Sequence, residues 1–331
     1  MKDLIKRLVE TWGPSGYEDA VRALIREEVA SVVDEARVDA LGNLIVTKRP
    51  TAGGPGLRVM LAAHMDEIGV VASHVDERGF VRFQPVGGLR PLTLVGARVR
   101  FANGVRGVIG LEEKKVLGVP DLGQLYIDVG ARAKDSVPVA VGDMACMDRD
   151  FADLGQRMVA KAFDDRIGCA ILIQVLRELT ETPHELHLAF TVQEELGLRG
   201  AQTAAYGIQA EWGVVVDITL TGDTPEARTM AIGLGGGPAI KVKDSGMVTH
   251  AGVRRALVDA AQRAGVPYQL EVLERGTTDG TAMQTSRVGM PVGVVSIPTR
   301  YAHTPSEMVD YQDVLHAVRL LVEVLRAPVA L

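Results

Sequence analysis

Cysteine is almost absent from this 331-residue chain: Cys146 and Cys169 stand alone, each inside an apolar run (Met-Ala-Cys-Met and Ile-Gly-Cys-Ala). Two thiols so placed exclude a disulfide framework, read as packing residues and point to a reducing compartment. An excess of positive charge is missing too. The formal net charge is −6, with 36 Lys and Arg dispersed among 42 Asp and Glu, so nothing forms a basic field for nucleic acid or a charged tail. No run reaches the roughly 18 apolar residues that a membrane-spanning helix needs. The opening Met1-Lys-Asp-Leu-Ile-Lys-Arg-Leu-Val-Glu mixes charges at helical spacing and lacks an apolar core, so it does not read as a signal peptide. Internal repeats and low-complexity segments are lacking as well. These absences lead us to expect a cytoplasmic globular protein that binds neither nucleic acid nor membrane.

The chain is longer than a usual single core, and its 47% of hydrophobic residues can fill two. Apolar positions at helical period (Leu4, Leu8, then Val21, Leu24, Ile25, Val29, Val32), broken by Gly13-Pro14-Ser15-Gly16, predict two amphipathic helices. A hairpin-like segment from Ala36 to Thr47, a Gly/Pro linker and the apolar strand Leu57 to Ala63 follow. From about Val70 to Arg149, short β-prone runs alternate with turn signals such as Asp76-Glu-Arg-Gly79, Gly87-Gly88 and Asn103-Gly104. Helical and strand patterns then alternate again: helices at 167–180, 253–264 and 312–326, strands at 186–192, 213–216 and 292–297. The pattern predicts an α/β layered, mostly parallel sheet with a small β domain inserted in it. We expect boundaries at 1–69 and 156–331 for the two halves of the α/β domain and 70–155 for the insertion.

Five short acidic or histidine-bearing segments, each where an apolar run ends, fall outside the insertion. His64 and Asp66 are two residues apart at a strand end, so an extended backbone puts them on one face, where Asp66 can accept from one ring nitrogen of His64. Asp164 and Asp165 precede an apolar helix; one can cap it, but both cannot, which leaves a carboxylate of the kind that bridges metals. Glu194 and Glu195 end a strand and point in different directions, so one can bind metal while the other works as general acid/base. Asp217 ends Trp212-Gly-Val-Val-Val-Asp. His303 precedes Thr304-Pro305-Ser-Glu307, which reads as a helix start. Singly each has an ordinary explanation as a cap or turn former. Together they make a nitrogen and oxygen donor set for two divalent cations, with a glutamate left to act on water. His184 and His187 in Pro-His-Glu-Leu-His fall one residue short of the zinc-protease spacing and read as strand-entry residues; His74, His250 and His316 lack acidic partners.

In their order along the chain, Ala63-His64-Met65-Asp66-Glu67-Ile68-Gly69, Phe163-Asp164-Asp165-Arg166, Gln193-Glu194-Glu195-Leu196-Gly197, Val216-Asp217 and Pro298-Thr299-Arg300-Tyr301-Ala302-His303-Thr304-Pro305-Ser306-Glu307-Met308 resemble the tetrahedral, TET-type, dinuclear metalloaminopeptidases. The resemblance spans nearly the whole chain and includes glutamyl and deblocking aminopeptidase-like members. It implies an α/β/α catalytic domain of zinc-peptidase type and a PDZ-like dimerisation insertion. It also implies two divalent ions, Zn²⁺ or Co²⁺, short-peptide substrates and tetrahedral dodecamers built from dimers. By it, Asp164 would bridge the ions, His64 and Asp217 would complete one site and Glu195 and His303 the other. Glu194 would be the general base, and Asp66 would support catalysis by orienting His64. Gly276-Thr277-Thr278-Asp279-Gly280 departs from the Gly-Gly-Thr-Asp-Ala of many members, a difference that bears on side-chain preference. The expected reaction is metal-dependent removal of amino-terminal residues. Its rivals are a related carboxypeptidase or N-acyl-amino-acid deacetylase and, from another class, a non-catalytic binding protein.

Overall fold

The computed structural model describes residues 1–54, 56–112, 118–329 and 331; Pro55 of the Gly/Pro linker lies outside them. The chain opens with α1 (Lys2–Glu10) and α2 (Asp19–Val29), the hairpin β1 (Glu35–Val38) and β2 (Leu44–Lys48), and β3 (Arg58–His64). Next come β4 (Gly69–Val75), β5 (Phe80–Val86), the single turn α3 (Pro91–Leu94), β6 (Arg98–Phe101), β7 (Arg106–Leu111), β8 (Leu125–Asp128) and β9 (Met144–Met147). The remainder comprises β10 (Ala152–Asp153), β11 (Arg157–Ala160), α4 (Phe163–Glu178), β12 (Glu185–Thr191), α5 (Arg199–Ile208) and β13 (Trp212–Thr219). It continues through β14 (Ala239–Lys243), α6 (Ala251–Ala264), β15 (Gln269–Val272), α7 (Asp279–Gln284), β16 (Val292–Arg300), β17 (Glu307–Asp310) and α8 (Tyr311–Leu325).

Strands β4 to β9 close into an antiparallel barrel, ordered β4-β5-β8-β7-β6-β9, around its own core of Val70, Val81, Val99, Phe101, Ile127 and neighbours. Closure leaves this short-stranded sheet without an unpaired edge. The other strands form one sheet whose main path runs β1-β2-β12-β3-β13-β16-β17-β11-β10, with β14 and β15 attached beside β16. Its parallel part is the central block β12-β3-β13-β16 and the pair β14-β15; the remaining pairings are antiparallel. The sheet is therefore mixed, where the sequence pattern led to a mostly parallel one. β2, β11 and β17 are short chain returns that join the sheet without a crossover helix, and only a crossover makes neighbours parallel.

Period-two alternation assigns the two faces. Val59, Leu61 and Ala63 of β3 point to a core shared with α1, α2, α4, α6 and α8, while Met60 and Ala62 point to a second core beneath α5 and α7. Trp212, Val214 and Val216 of β13 face the first core and Val215 the second. With both faces covered, the central strands read as continuous apolar runs, and helices on both sides give an α/β/α layering. The helix expected at Thr304 is absent. Residues 304–306 are turn, Glu307–Asp310 pairs as β17, and α8 starts at Tyr311, where the Asp310 carboxylate accepts from the N–H of Gln312 at 2.9 Å. The Thr-Pro signal was real as a chain reversal, but the segment after it extends first, paired with β11 and β16.

Candidate active site

The carboxyl ends of parallel strands gather loops into one crevice, and here β3, β12, β13 and β16 deliver four of the five candidate segments to it. β3 ends on His64, buried at 2% exposure. Its Nδ1 faces the Asp66 backbone oxygen at 3.2 Å and the Asp66 carboxylate at 3.3 Å, so Nε2 is turned to the crevice. The fifth segment opens α4. Asp164 and Asp165, joined by a cis peptide, have non-helical backbone angles. Asp165 is the cap: one oxygen accepts from Gly168 N–H at 3.0 Å and the other from His64 N–H at 3.2 Å. Asp164 is left free to face the crevice, as two adjacent aspartates require.

Asp164 stands between two imidazoles. Its Oδ1 is 3.0 Å from His64 Nε2 and its Oδ2 3.1 Å from His303 Nε2. His303 follows β16 with φ +60°, in the left-handed region. Its Nδ1 lies 2.8 Å from the carbonyl of Gly88, which fixes the other nitrogen toward Asp164. Glu195 Oε1 is 3.6 Å from His303 Nε2, buried and without a hydrogen-bond partner among the described residues. Glu194 Oε2 lies 4.0 Å from His64 Nε2. Asp217, opposite Ser296 in the β13–β16 register, turns one oxygen to the N–H of Ile218 at 2.6 Å. All seven residues singled out from the sequence, His64, Asp66, Asp164, Glu194, Glu195, Asp217 and His303, thus meet at one edge of the sheet.

Charge at this centre is out of balance. Glu194, Glu195, Asp164, Asp165 and Asp217 crowd around two imidazoles. Burial pushes the Glu195 carboxyl up to about 7, and the charge of Asp164 adds to it. Burial, with repulsion from Asp217 and Glu195, holds Glu194 well above the usual carboxylate range, and burial with repulsion from Asp164 does the same for Asp217. Burial opposes a charged His303, yet Asp164 and Glu195 outweigh it and lift the ring to about 10. His64 is raised in the same way, its burial overcome by Asp164 and Asp66. Protonated imidazoles therefore hold places that a stronger cation fits. Donor atoms of His64, Asp164 and Glu195, and of His64, Asp165 and Asp217, come within 4.8 Å of one another. A buried imidazole nitrogen and carboxylate oxygens at this spacing, one oxygen unpartnered, suit borderline divalent ions.

Sequence reasoning missed three supports. Buried Glu307 clamps the two sides of Asp164: it accepts from Asp164 N–H at 3.0 Å and from His303 N–H at 2.9 Å. Asp279, at the start of α7, accepts from Thr191 Oγ1 at 2.5 Å. Ser15 donates to Asp66 at 2.6 Å. Each pairs with a group distant in sequence (a backbone N–H, a hydroxyl or a carboxylate), for which periodicity carries no signal; Glu307 alone had a cue, in its place four residues after His303. The centre opens into a cleft of about 670 Å³. Asp164, Glu194, Glu195, Asp217 and His303 line it, and so do Arg90, Arg228 and Arg275 from three different loops.

A sequence model of the M42 glutamyl aminopeptidase family matches residues 42–320. Lysyl aminopeptidase of Pyrococcus furiosus is 34% identical over 334 residues, covering 96% of this chain and 94% of its own. An aminopeptidase of the archaeon Desulfurococcus kamchatkensis has the same fold with a TM-score of 0.94 and 39% identity, over 99% of this chain and 94% of that one. The TET1 peptidase of Pyrococcus horikoshii, which can assemble into a tetrahedron or a large octahedral shell, matches with a TM-score of 0.86 and 30% identity over 98% of both chains. These relatives bear out the aminopeptidase expectation over its carboxypeptidase, deacetylase and non-catalytic rivals. The chain belongs to the M42 glutamyl aminopeptidase family and is a metal-dependent aminopeptidase, a hydrolase of peptide bonds.

Proposed function

We propose that Glu194 is the general base of this aminopeptidase. The observation that carries the reading is its placement: the carboxylate lines the cleft 4.0 Å from His64 Nε2, and among the described residues no group donates a hydrogen bond to it. A carboxylate so raised in proton affinity and so unencumbered can take a proton from water and return it to a leaving amine. We assign Asp164 as the bridging ligand, His64 and Asp217 as partners on one side, Glu195 and His303 on the other. Zn²⁺ is the ion we propose, with Co²⁺ able to substitute. Bound divalent ions supply Lewis-acid polarisation and acidify water. Asp66 holds His64 in the tautomer that faces the centre.

The cleft is lined by both signs, carboxylates at the centre and three arginines among its loops, none of them with an ion-pair partner among the described residues. A short peptide also carries both signs, with an ammonium at one end and a carboxylate at the other, and we propose that such peptides are the substrates. We further propose that the barrel, whose strands run from Gly69 to Met147, is the inserted unit expected at 70–155, that it joins subunits into dimers, and that these build a tetrahedral dodecamer in the cytoplasm. Buried, unpaired Cys146 and Cys169 suit that compartment. Glu194→Gln tests the central assignment. It should keep its cations and lose turnover by roughly 10²–10⁴-fold, and normal turnover on an aminoacyl-p-nitroanilide would refute the base.

A further inference from the structure

The loop that carries Glu194 and Glu195 belongs to neither strand nor helix, so its backbone has no ladder to hold it. Its four successive N–H groups are all held by side chains instead. Val192 donates to Asn43 Oδ1 at 3.0 Å, Gln193 to Glu18 Oε1 at 3.1 Å, Glu194 to Asp66 Oδ1 at 3.0 Å and Glu195 to Asp66 Oδ2 at 3.2 Å. Gln193 sits at φ +54°, a conformation that a residue with a side chain keeps only where its surroundings impose it. Two of the three acceptors lead back to one short segment. Glu18 belongs to it, and Asp66 is gripped by Ser15, whose hydroxyl donates to Oδ2 at 2.6 Å. Glu18 Oε1 also accepts from Gly16 N–H at 2.7 Å, closing the segment on itself.

We propose that the turn at residues 13–18 is a positioning element of the active centre, with Ser15 and Glu18 as its acting side chains. The inference rests on the reading of Glu194 as the base. Asp66 serves four groups at once: Glu194 N–H and His64 Nδ1 at one oxygen, Ser15 Oγ and Glu195 N–H at the other. Without the Ser15 hydroxyl that carboxylate keeps three of its four partners but loses the one that ties it to the turn, and any shift of it moves the base and an imidazole of the centre together. The turn is itself pinned to the start of the barrel. Pro14 bridges Glu67, Glu67 N–H donates to the Gly13 carbonyl at 3.2 Å, and Gly13 N–H donates to Glu67 Oε1 at 3.3 Å. Ser15 and Glu18 are 3% and 4% exposed and neither lines the cleft, so they act through Asp66 and Gln193 and not on substrate. The Gly-Pro-Ser-Gly run, read in the sequence as a break between helices, gains a purpose from this geometry.

The test uses the metal-loaded full chain as Ser15→Ala, Ser15→Thr, Glu18→Ala and Glu18→Gln, measuring kcat, KM, cations per subunit by mass spectrometry and the thermal midpoint. Both alanine variants should keep their cations and a KM within about 2-fold while kcat falls by about 10- to 100-fold. Ser15→Thr, which keeps the donor, and Glu18→Gln, which keeps the acceptor, should regain most of kcat. Alanine variants with unchanged kcat per loaded subunit, their losses confined to midpoint or metal content, would overturn the proposal. So would a Glu18→Gln as impaired as Glu18→Ala. Should Ser15→Ala fail to fold, the Glu18 pair decides alone. Glu194→Gln run in parallel separates the two ideas. Turnover retained there removes the base, whereas a dead Glu194→Gln beside fully active alanine variants removes only the positioning role.

Discussion

Glu195 and His303 show how single residues set the chemistry of this centre. Without cations, Glu195 carries its proton up to about 7 and His303 up to about 10, so as the proposed ligands both must give up protons before binding a cation. The sign follows directly. Below pH 7 a cation competes with the protons of both groups, and from 7 to 10 still with that of His303, so affinity rises with pH across the whole span. Calorimetric titration of the metal-free protein with Zn²⁺ in buffers of different ionisation enthalpy should show net proton release at pH 7.5 and tighter binding at pH 8 than at pH 6. Equal affinity at the two, with no release, would contradict the assignment. At this scale the sequence was legible for the groups that gather at the centre, because a histidine or carboxylate closing an apolar strand is conspicuous. It was mute about Ser15, Glu18 and Asn43. Their work is to accept from or donate to a distant backbone or carboxylate, and such pairing leaves no periodic trace.

Helix α4 shows the same limits among elements. Its apolar length was readable, but its first turn was not: the regular helix starts after Asp164 and Asp165, which leave helical geometry so that one caps and the other faces the imidazoles. Gly168 makes room for this. A Cβ there would lie 2.4 Å from both Asp165 oxygens. Gly168→Ala should therefore displace the cap, lower stability by about 1–3 kcal/mol and weaken cation retention, as read by denaturant midpoint and by metal content after dialysis. An alanine variant as stable and as metal-rich as the parent would show that the turn tolerates what the geometry forbids. The buried strands were legible as apolar runs, and their pairing was not. Chain returns such as β2 and β17 are set by turns and register, so the mixed sheet emerges only in three dimensions.

The whole molecule joins a carboxylate-rich centre to a cleft whose loops carry arginines, the feature from which short zwitterionic peptides are proposed as substrates. Peptides with a free carboxyl terminus should have a lower KM than their carboxamides, and Arg275→Ala or Arg228→Ala should shrink the difference, as steady-state kinetics on paired dipeptides would show. Equal KM values for acid and amide would remove the arginines from recognition. The layered sheet and closed barrel supply rigid walls, and the two halves of the α/β part meet only through the folded chain, which is why His64 and His303 lie far apart in sequence and on either side of Asp164 in space. The most direct measurement is release of p-nitroaniline from aminoacyl-p-nitroanilides by protein stripped with chelator and then given Zn²⁺ or Co²⁺. Stripping should abolish activity, either ion should restore it, and Glu194→Gln should stay inactive despite bound metal. Activity that survives complete stripping, or that Glu194→Gln recovers in full, would contradict this.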